Sequence, residues 1–346
     1  MRIASRDIGP EFPPYLIAEM SANHNGDIER AFRIMEVARA AGADALKIQS
    51  YTADTITIRS DRPEFQIKGG LWDGRSLHDL YSWAQMPWDW HGPLFDKARD
   101  LGITIFSSPF DFTAVDMLEK LDAPAYKIAS FEAIDLPLIR HVAQTGKPMI
   151  ISSGMADATE IAEAVDAARD AGCTELVVLL CVSGYPAPAS DYNLRTLTDM
   201  QSRFGVLTGL SDHTIDNTAA IAAVGLGACV IEKHVTLDRN GGGPDDSFSL
   251  EPDELTALVE ASHTAWKALG KVDYGHKSSE VQNVIFRRSL YAVADIPKGA
   301  LLSHENVRSI RPGWGLAPKH LEAVIGRRAA RDIPRATPLA FELIED

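Results

Sequence analysis

Between residues 15 and 268, short apolar runs alternate with longer stretches whose apolar residues recur at helical spacing. The runs are Tyr15 to Met20, Ala45 to Tyr51, Ile103 to Phe106, Ala125 to Ala129, Pro148 to Ile151, Leu176 to Val182, Phe204 to Leu210 and Cys229 to Ile231. Each has the length of a strand, and most lead into an amphipathic stretch such as residues 28–41, 90–101, 112–121 or 252–268. Repeats of this kind predict an α/β protein, and eight parallel strands are the number that closes a (β/α)8 TIM barrel. An open doubly wound sheet has the same periodicity. Residues 52–88 stand apart as a long insertion in the repeat.

The placement of polar residues favours the barrel. Nearly every run is apolar early and chemically loaded late, ending near Glu19, Lys47 and Gln49, Ser108, Lys127 with Ser130 and Glu132, Ser152, Ser183 with Tyr185, Ser211 with His213, or His234. Barrel enzymes build their sites from the C-terminal ends of several strands, so one loaded end is the expected signature.

Beyond the barrel pattern (1–268) the chain changes style. Residues 269–285 are polar and read as a linker. Residues 286–346 carry short β-like runs, Ser289 to Ala294 and Val307 to Ile310, broken by Pro297-Lys298-Gly299 and Arg311-Pro312-Gly313. They predict a small β-rich module, marginal in size on its own.

Composition narrows the function classes. A net charge of −14 over 346 residues argues against non-specific nucleic-acid binding, yet leaves room for a locally positive cleft that takes a small anion. No apolar run approaches the ~20 residues of a membrane helix, and the first residues lack a secretory apolar core. A cytoplasmic protein without membrane partners is expected. Cys173, Cys181 and Cys229 are odd in number, widely spaced and set among apolar residues, so they read as reduced core cysteines.

Two pairs of residues carry candidate chemistry. His213 and His234 lie about one strand–helix–strand step apart, which puts them at the same end of neighbouring parallel strands. Two imidazoles so placed can bind a divalent metal; a single histidine there is as readily a satisfied polar residue. Lys47 and Lys127 interrupt apolar strand patterns, where an unpaired charge is costly. They suit charge clamps for an anion, with Ser108, Ser130, Ser152 and Ser211 as hydrogen-bond donors.

Ile17-Ala18-Glu19, Asn23-His24-Asn25-Gly26, Lys47-Ile48-Gln49, Ser108-Pro109-Phe110, Ala125-Tyr126-Lys127-Ile128, Ser152-Ser153-Gly154-Met155, Gly209 to Thr214 and Glu232-Lys233-His234 occur in one order along the chain. In that order they resemble the sialic acid (nonulosonic acid) synthase family. The C-terminal module, with Asp295-Ile296-Pro297-Lys298-Gly299 and Arg311-Pro312-Gly313, is similar to the family's antifreeze-like (SAF) domain. The insertion, with Ile67 to Gly74, Leu77 to Tyr81 and Trp88 to His91, resembles the pseudaminic acid-forming subgroup; so does Gly242 to Asp245 running into Ser247 to Pro252.

The resemblance implies a metal-dependent transferase that condenses phosphoenolpyruvate with 2,4-diacetamido-2,4,6-trideoxy-L-altrose and releases phosphate. It implies a phosphoenolpyruvate pocket of Lys47, Ser108, Lys127, Ser152, Ser183 and Ser211, to which Ser130 is added as a further hydrogen-bond donor. It implies sugar contacts from Gln49, Glu132, Tyr185, Asp245 and Arg311, and Glu19 as base or water-orienting carboxylate. His213 and His234 are then catalytic as ligands of Mn2+, Mg2+ or Co2+, and a domain-swapped homodimer is expected. Two departures from the family pattern stand out: Cys181-Val182-Ser183 puts Val182 where the family often has a hydroxyl or amide, and Ser108 stands where Thr is frequent. N-acetylneuraminic or legionaminic acid synthases share this chemistry with another sugar. A Schiff-base aldolase using Lys127 and a non-catalytic sugar-binding scaffold are more distant alternatives.

Overall fold

In the computed structural model, which describes residues 1–345, eight strands close into a parallel barrel. They are β1 (Tyr15–Glu19), β2 (Ala45–Ser50), β3 (Thr104–Pro109), β4 (Tyr126–Ile128), β5 (Met149–Ser152), β6 (Leu176–Cys181), β7 (Leu207–Asp212) and β8 (Val230–His234). Each pairs with the next in sequence, and β8 returns to β1 in the register Glu232 to Ile17 and His234 to Glu19. The sheet is therefore closed, and the open doubly wound alternative is excluded.

Helices α1 (Ile28–Ala40), α2 (Ala53–Ile56), α3 (Leu77–Ala84), α4 (His91–Leu101), α5 (Phe112–Lys120), α6 (Leu136–Ala143), α7 (Ala158–Asp170), α8 (Thr196–Phe204), α9 (Thr218–Gly225) and α10 (Pro252–Leu269) follow the strands. Several start where a carboxylate or hydroxyl takes up the free N–H groups of the first turn. Asp27, Ser76, Asp111, Asp135 and Asp157 do this for α1, α3, α5, α6 and α7. The insertion is not a bare loop: α2 and α3 lie within it, the second seeded by Ser76.

Alternation along each strand sorts the core into two layers. Leu16 and Ala18, Leu46 and Ile48, Tyr126 and Ile128, and Val178 and Leu180 face outward and pack in the same cluster as the helices. Tyr15, Ile17, Ala45, Phe106, Ile150, Val177, Leu179 and Val230 form a separate interior cluster, joined by Ile3 and Ile8 of the N-terminal segment. Gly209 belongs to the inward series and is required there: a Cβ would stand 2.4 Å from the Val230 carbonyl and 2.6 Å from Leu179.

Two steps further along the inward series the residues become polar. Ile17 is followed by Glu19, Ala45 by Lys47 and Gln49, Phe106 by Ser108, Ile150 by Ser152, Gly209 by Ser211 and His213, and Val230 by Glu232 and His234. One period-two phase thus supplies both an apolar plug and a ring of chemistry above it.

The chain divides into two compact units, Met1–Gly270 and Lys271–Asp346. In the second, β9 (Ser289–Ala292) pairs antiparallel with β10 (Val307–Ile310). Leu290, Ala292, Ile296, Leu302, Val307 and Ile333 are among the residues of its own small core, which α11 (Leu321–Val324) helps to close. Among the described residues no helix is long and apolar enough to cross a membrane. Cys173, Cys181 and Cys229 are buried free thiols.

Candidate active site

At the C-terminal ends of the strands, two lysines and two carboxylates are buried together. Lys47 Nζ lies 2.8 Å from Glu19 Oε2 and 3.6 Å from Glu232 Oε1, and Lys127 Nζ lies 3.5 Å from the same Glu232 oxygen. Side-chain exposure is 5% or less for all four. Taking four charges out of water is tolerable only because they alternate in sign.

The shifts follow from that arrangement. Burial works against the charged Lys47, but Glu19 and Glu232 outweigh it and raise its pKa. Lys127 moves down through burial and the repulsion of Lys47, only partly offset by Glu232. Burial raises the Glu19 carboxyl despite Lys47, whereas Glu232 is held low because Lys127 and Lys47 outweigh its burial.

Hydroxyls surround the quartet. Lys47 Nζ donates to Ser108 Oγ at 3.3 Å, and Ser211 Oγ donates to Glu232 Oε1 at 3.4 Å. Ser130 Oγ is 3.3 Å from Cys181 Sγ. The Ser152 and Ser183 hydroxyls are buried with no protein partner, an arrangement that a ligand rich in acceptor oxygens satisfies. Gly154 leaves room beside Ser183 and Ser130, because a Cβ there would lie 2.3 Å from Ser183 Oγ and 2.7 Å from Ser130 Oγ.

Beside this pocket a cavity of about 290 Å3 is bounded by strand ends on one side and by the insertion on the other. Gln49 donates to Glu19 Oε1 at 2.9 Å and to Ser21 Oγ at 3.0 Å, and Ser21 donates in turn to Asp245 at 2.5 Å. Glu132 Oε2 lines the cavity without a protein partner. Burial pushes the Glu132 carboxyl up to about 7, its own backbone N–H and Lys127 pulling weakly the other way. Tyr185 stacks 4.4 Å from the His213 ring and 5.7 Å from Trp72, whose indole N–H donates to the Pro244 carbonyl at 3.1 Å.

His213 and His234 come together on neighbouring strand ends, their ring centroids 5.3 Å apart. His213 Nδ1 is 2.8 Å from the Val182 carbonyl, which can only accept, so Nδ1 carries a proton and in the neutral ring Nε2 keeps a lone pair. Val182 thus acts through its backbone, whatever its side chain lacks. Burial opposes a charged His213, but Cys181 and that carbonyl raise its pKa, while His213 draws the buried Cys181 thiol down. His234 is driven well below its ordinary pKa by burial and by His213, and its Nδ1 is buried without a partner. Two imidazoles, one with its tautomer fixed and one neutral with an orphaned nitrogen, are a donor set that fits a divalent cation. Among the described residues no cluster of three or more His, Cys, Asp or Glu could hold a metal unaided.

The sequence-based candidates Glu19, Lys47, Gln49, Ser108, Lys127, Ser130, Glu132, Ser152, Ser183, Tyr185, Ser211, His213, His234 and Asp245 all belong to the barrel unit and cluster at this one end. Arg311 belongs to the other unit, where its guanidinium lies 6.0 Å from the Phe286 ring. Two residues entered the sequence reading only within the Glu232-Lys233-His234 motif, without a role. Glu232 holds both lysines, and counting two back from His234 along the strand would have found it. Lys233 faces the other way, with Nζ within 2.8 Å of Asp212 Oδ2, the Thr214 carbonyl and the Asp216 carbonyl. It pins the segment that carries His213.

The Asn23-His24-Asn25 motif is also structural support. Asn23 donates to the Val235 carbonyl and to Ser249, both at 2.8 Å, and Asn25 donates to Asp246 at 2.8 Å. The loop after β1 thereby holds the loop after β8, which presents Asp245 and Phe248.

A closed eight-stranded α/β barrel with buried lysines, unpartnered hydroxyls and paired histidines at its strand ends has the architecture of a TIM-barrel enzyme. The chain belongs to the NeuB family, whose model matches residues 34–274, and a SAF domain matches residues 287–345. It is similar to the pseudaminic acid synthase of Campylobacter jejuni, 45% identical over 321 residues that span 92% of this chain and 93% of the relative. The pseudaminic acid synthase of Helicobacter pylori is 41% identical over 335 residues, 96% of this chain and 98% of the relative. The crystal structure of the Bacillus subtilis spore coat polysaccharide biosynthesis protein SpsE has a TM-score of 0.68 at 33% identity, covering 100% of this chain and 99% of that one.

Proposed function

We propose that this chain is a pseudaminic acid synthase, condensing phosphoenolpyruvate with 2,4-diacetamido-2,4,6-trideoxy-L-altrose. The observation that carries the reading is the division of the site. A lysine pair with unpartnered serine hydroxyls adjoins a cavity lined by carboxylates, an amide and aromatic rings. The first suits a small polyanion and the second an uncharged sugar bearing amide and hydroxyl groups.

In this reading Lys47 and Lys127 offset the charge of the phosphate and carboxylate, and Ser108, Ser130, Ser152, Ser183 and Ser211 orient their oxygens. Gln49, Glu132, Tyr185 and Asp245 hold the sugar so that its aldehyde carbon faces C3 of the enol. A carbon–carbon bond forms there, water adds at C2, and the bond from C2 to the phosphate oxygen breaks. Glu19, fixed by Lys47 and Gln49, orients that water and takes its proton. His213 and His234 would hold a divalent cation, Mn2+, Mg2+ or Co2+, which supplies Lewis acidity toward the aldehyde oxygen. A cytoplasmic homodimer in which Arg311 contacts the sugar belongs to the same reading, supported by the family resemblance.

The test is phosphate release from phosphoenolpyruvate with Mn2+, with the trideoxy-altrose sugar or N-acetylmannosamine, each with and without EDTA. Release with the altrose sugar alone, abolished by EDTA, is expected. Release with N-acetylmannosamine alone would keep the family chemistry and discard this substrate.

A second expectation concerns pH. With Glu132 ionising near 7, kcat/KM for the sugar rises with pH through an inflection at about that value. Glu132→Gln, which does not titrate, loses the inflection. The stability sign is opposite. A carboxyl whose folded pKa lies above its ordinary 4.5 contributes stability that is fully present below 4.5 and is lost as pH rises through about 7. Urea denaturation across this range should therefore show a falling slope that the Gln variant flattens.

A further inference from the structure

The insertion contributes Ile56, Trp72, Leu80, Tyr81 and Ala84 to the cavity, and three of these side chains, Ile56, Leu80 and Ala84, carry no polar atom. Ile56 of α2 and Leu80 and Ala84 of α3 line it, with Phe110 beyond the end of β3. Tyr51 ties this wall together, edge-on to Tyr81 at 5.8 Å and to Phe110 at 5.0 Å. Gln49, Glu132, Asp245 and His234 also line the cavity. None of the described residues lining the cavity is a lysine or an arginine, and two are acids.

We propose that the wall of Ile56, Leu80, Ala84 and Phe110 receives the C6 methyl group of the sugar and selects an acceptor that carries neither a hydroxyl nor a phosphate there. The proposal rests on the synthase reading above and names the residues that set its acceptor preference. A methyl group against this wall removes apolar surface from water on both partners. A hydroxyl in its place loses its water and finds no donor or acceptor on Ile56, Leu80, Ala84 or Phe110. A phosphate fares worse, because no lysine or arginine lines the cavity whereas Glu132 and Asp245 do. The insertion that supplies α2 and α3 is thus a selectivity element rather than a cover alone.

The size of the effect is bounded by general experience with apolar pockets, which reject an added hydroxyl by about 100-fold at most. The wild-type enzyme is therefore expected to prefer 2,4-diacetamido-2,4,6-trideoxy-L-altrose over its 6-hydroxy counterpart by about 10- to 100-fold in kcat/KM, and to leave the 6-phosphate unused. Ala84→Ser adds a hydroxyl to the wall, and Ile56→Thr exchanges an ethyl arm for one. Together they should shrink the preference to within about 5-fold, whereas Ile56→Val keeps it. The ratio between the two sugars is the readout, since a general loss of folding or of phosphoenolpyruvate binding lowers both values equally. Equal use of the two altrose sugars by the wild type, or a ratio unmoved in the double variant, overturns the proposal and leaves the synthase reading intact. Turnover of neither altrose sugar fails that reading itself, and the wall's assignment with it.

Discussion

A Lys127→Met enzyme is expected to lose about 100- to 1,000-fold in kcat/KM for phosphoenolpyruvate while remaining folded. Without ligand, the buried quartet of Lys47, Lys127, Glu19 and Glu232 carries two positive and two negative charges. Removing one lysine leaves the two carboxylates in excess where a polyanion must bind. At about 5 Å and an effective dielectric of ~20, each unit of lost attraction costs roughly 3 kcal/mol, which is about two decades in rate or affinity. Loss of a donor aimed at the reacting phosphate adds to this. Steady-state kinetics with phosphoenolpyruvate varied at saturating sugar measures it. A KM and kcat both within about 3-fold of wild type would remove Lys127 from the phosphoenolpyruvate site. Lys127→Arg should recover only part of the loss, since the planar guanidinium restores charge without the ammonium's shape.

The second large effect is on stability. Lys233 Nζ and Asp212 Oδ2 meet at 2.8 Å with side-chain exposures of 2% and 0%. The ammonium also donates to the Thr214 and Asp216 carbonyls, while Asp212 accepts from the Thr214 backbone N–H at 2.9 Å. Lys233→Met leaves Asp212 charged and unpaired in the barrel wall, a change that costs about 3–5 kcal/mol. For a unit of this size that lowers the melting temperature by roughly 2 °C per kcal/mol or somewhat more, about 6–10 °C in all. The double variant Lys233→Met with Asp212→Leu should regain much of the melting temperature, because the uncompensated charge is gone. It should not regain kcat, because Asp212 and Lys233 together hold the segment that bears His213. A Lys233→Met enzyme melting within 1 °C of wild type by calorimetry would show the knot to be energetically neutral.

Much of the fold was legible because a parallel strand buried on both faces reads as a short apolar run, and a barrel repeats that signal eight times. Strand ends were less legible. The last two runs broke off at Leu210 and Ile231, whereas β7 continues to Asp212 and β8 to His234. Their final residues are charged or hydroxylic and look like loop, yet they keep the ladder and point alternately into the barrel and outward. The insertion was opaque for a different reason. Helices as short as α2, four residues, have no readable period; the Thr52–Thr55 capping box and packing on α3 hold this one.

The same distinction governs the site. Taken alone, the sequence determined which residues could do chemistry and that they would stand at one end of one sheet, because strand direction and period-two alternation are local properties of the chain. Lys47, Lys127, His213 and His234 follow from that. Closure decided the rest. Only when β8 returns to β1 does Glu232 come within reach of Lys47 and Lys127, joining charges that lie 185 and 105 positions apart in the chain. Whether a buried lysine is a clamp, a base or a structural ion depends on the charges around it, and a barrel sets those neighbours by closing strands distant in sequence. Lys233 shows the limit most sharply. It adjoins Glu232 and His234 in sequence, but the pleat turns it to the opposite face, where it supports the site from outside instead of lining it.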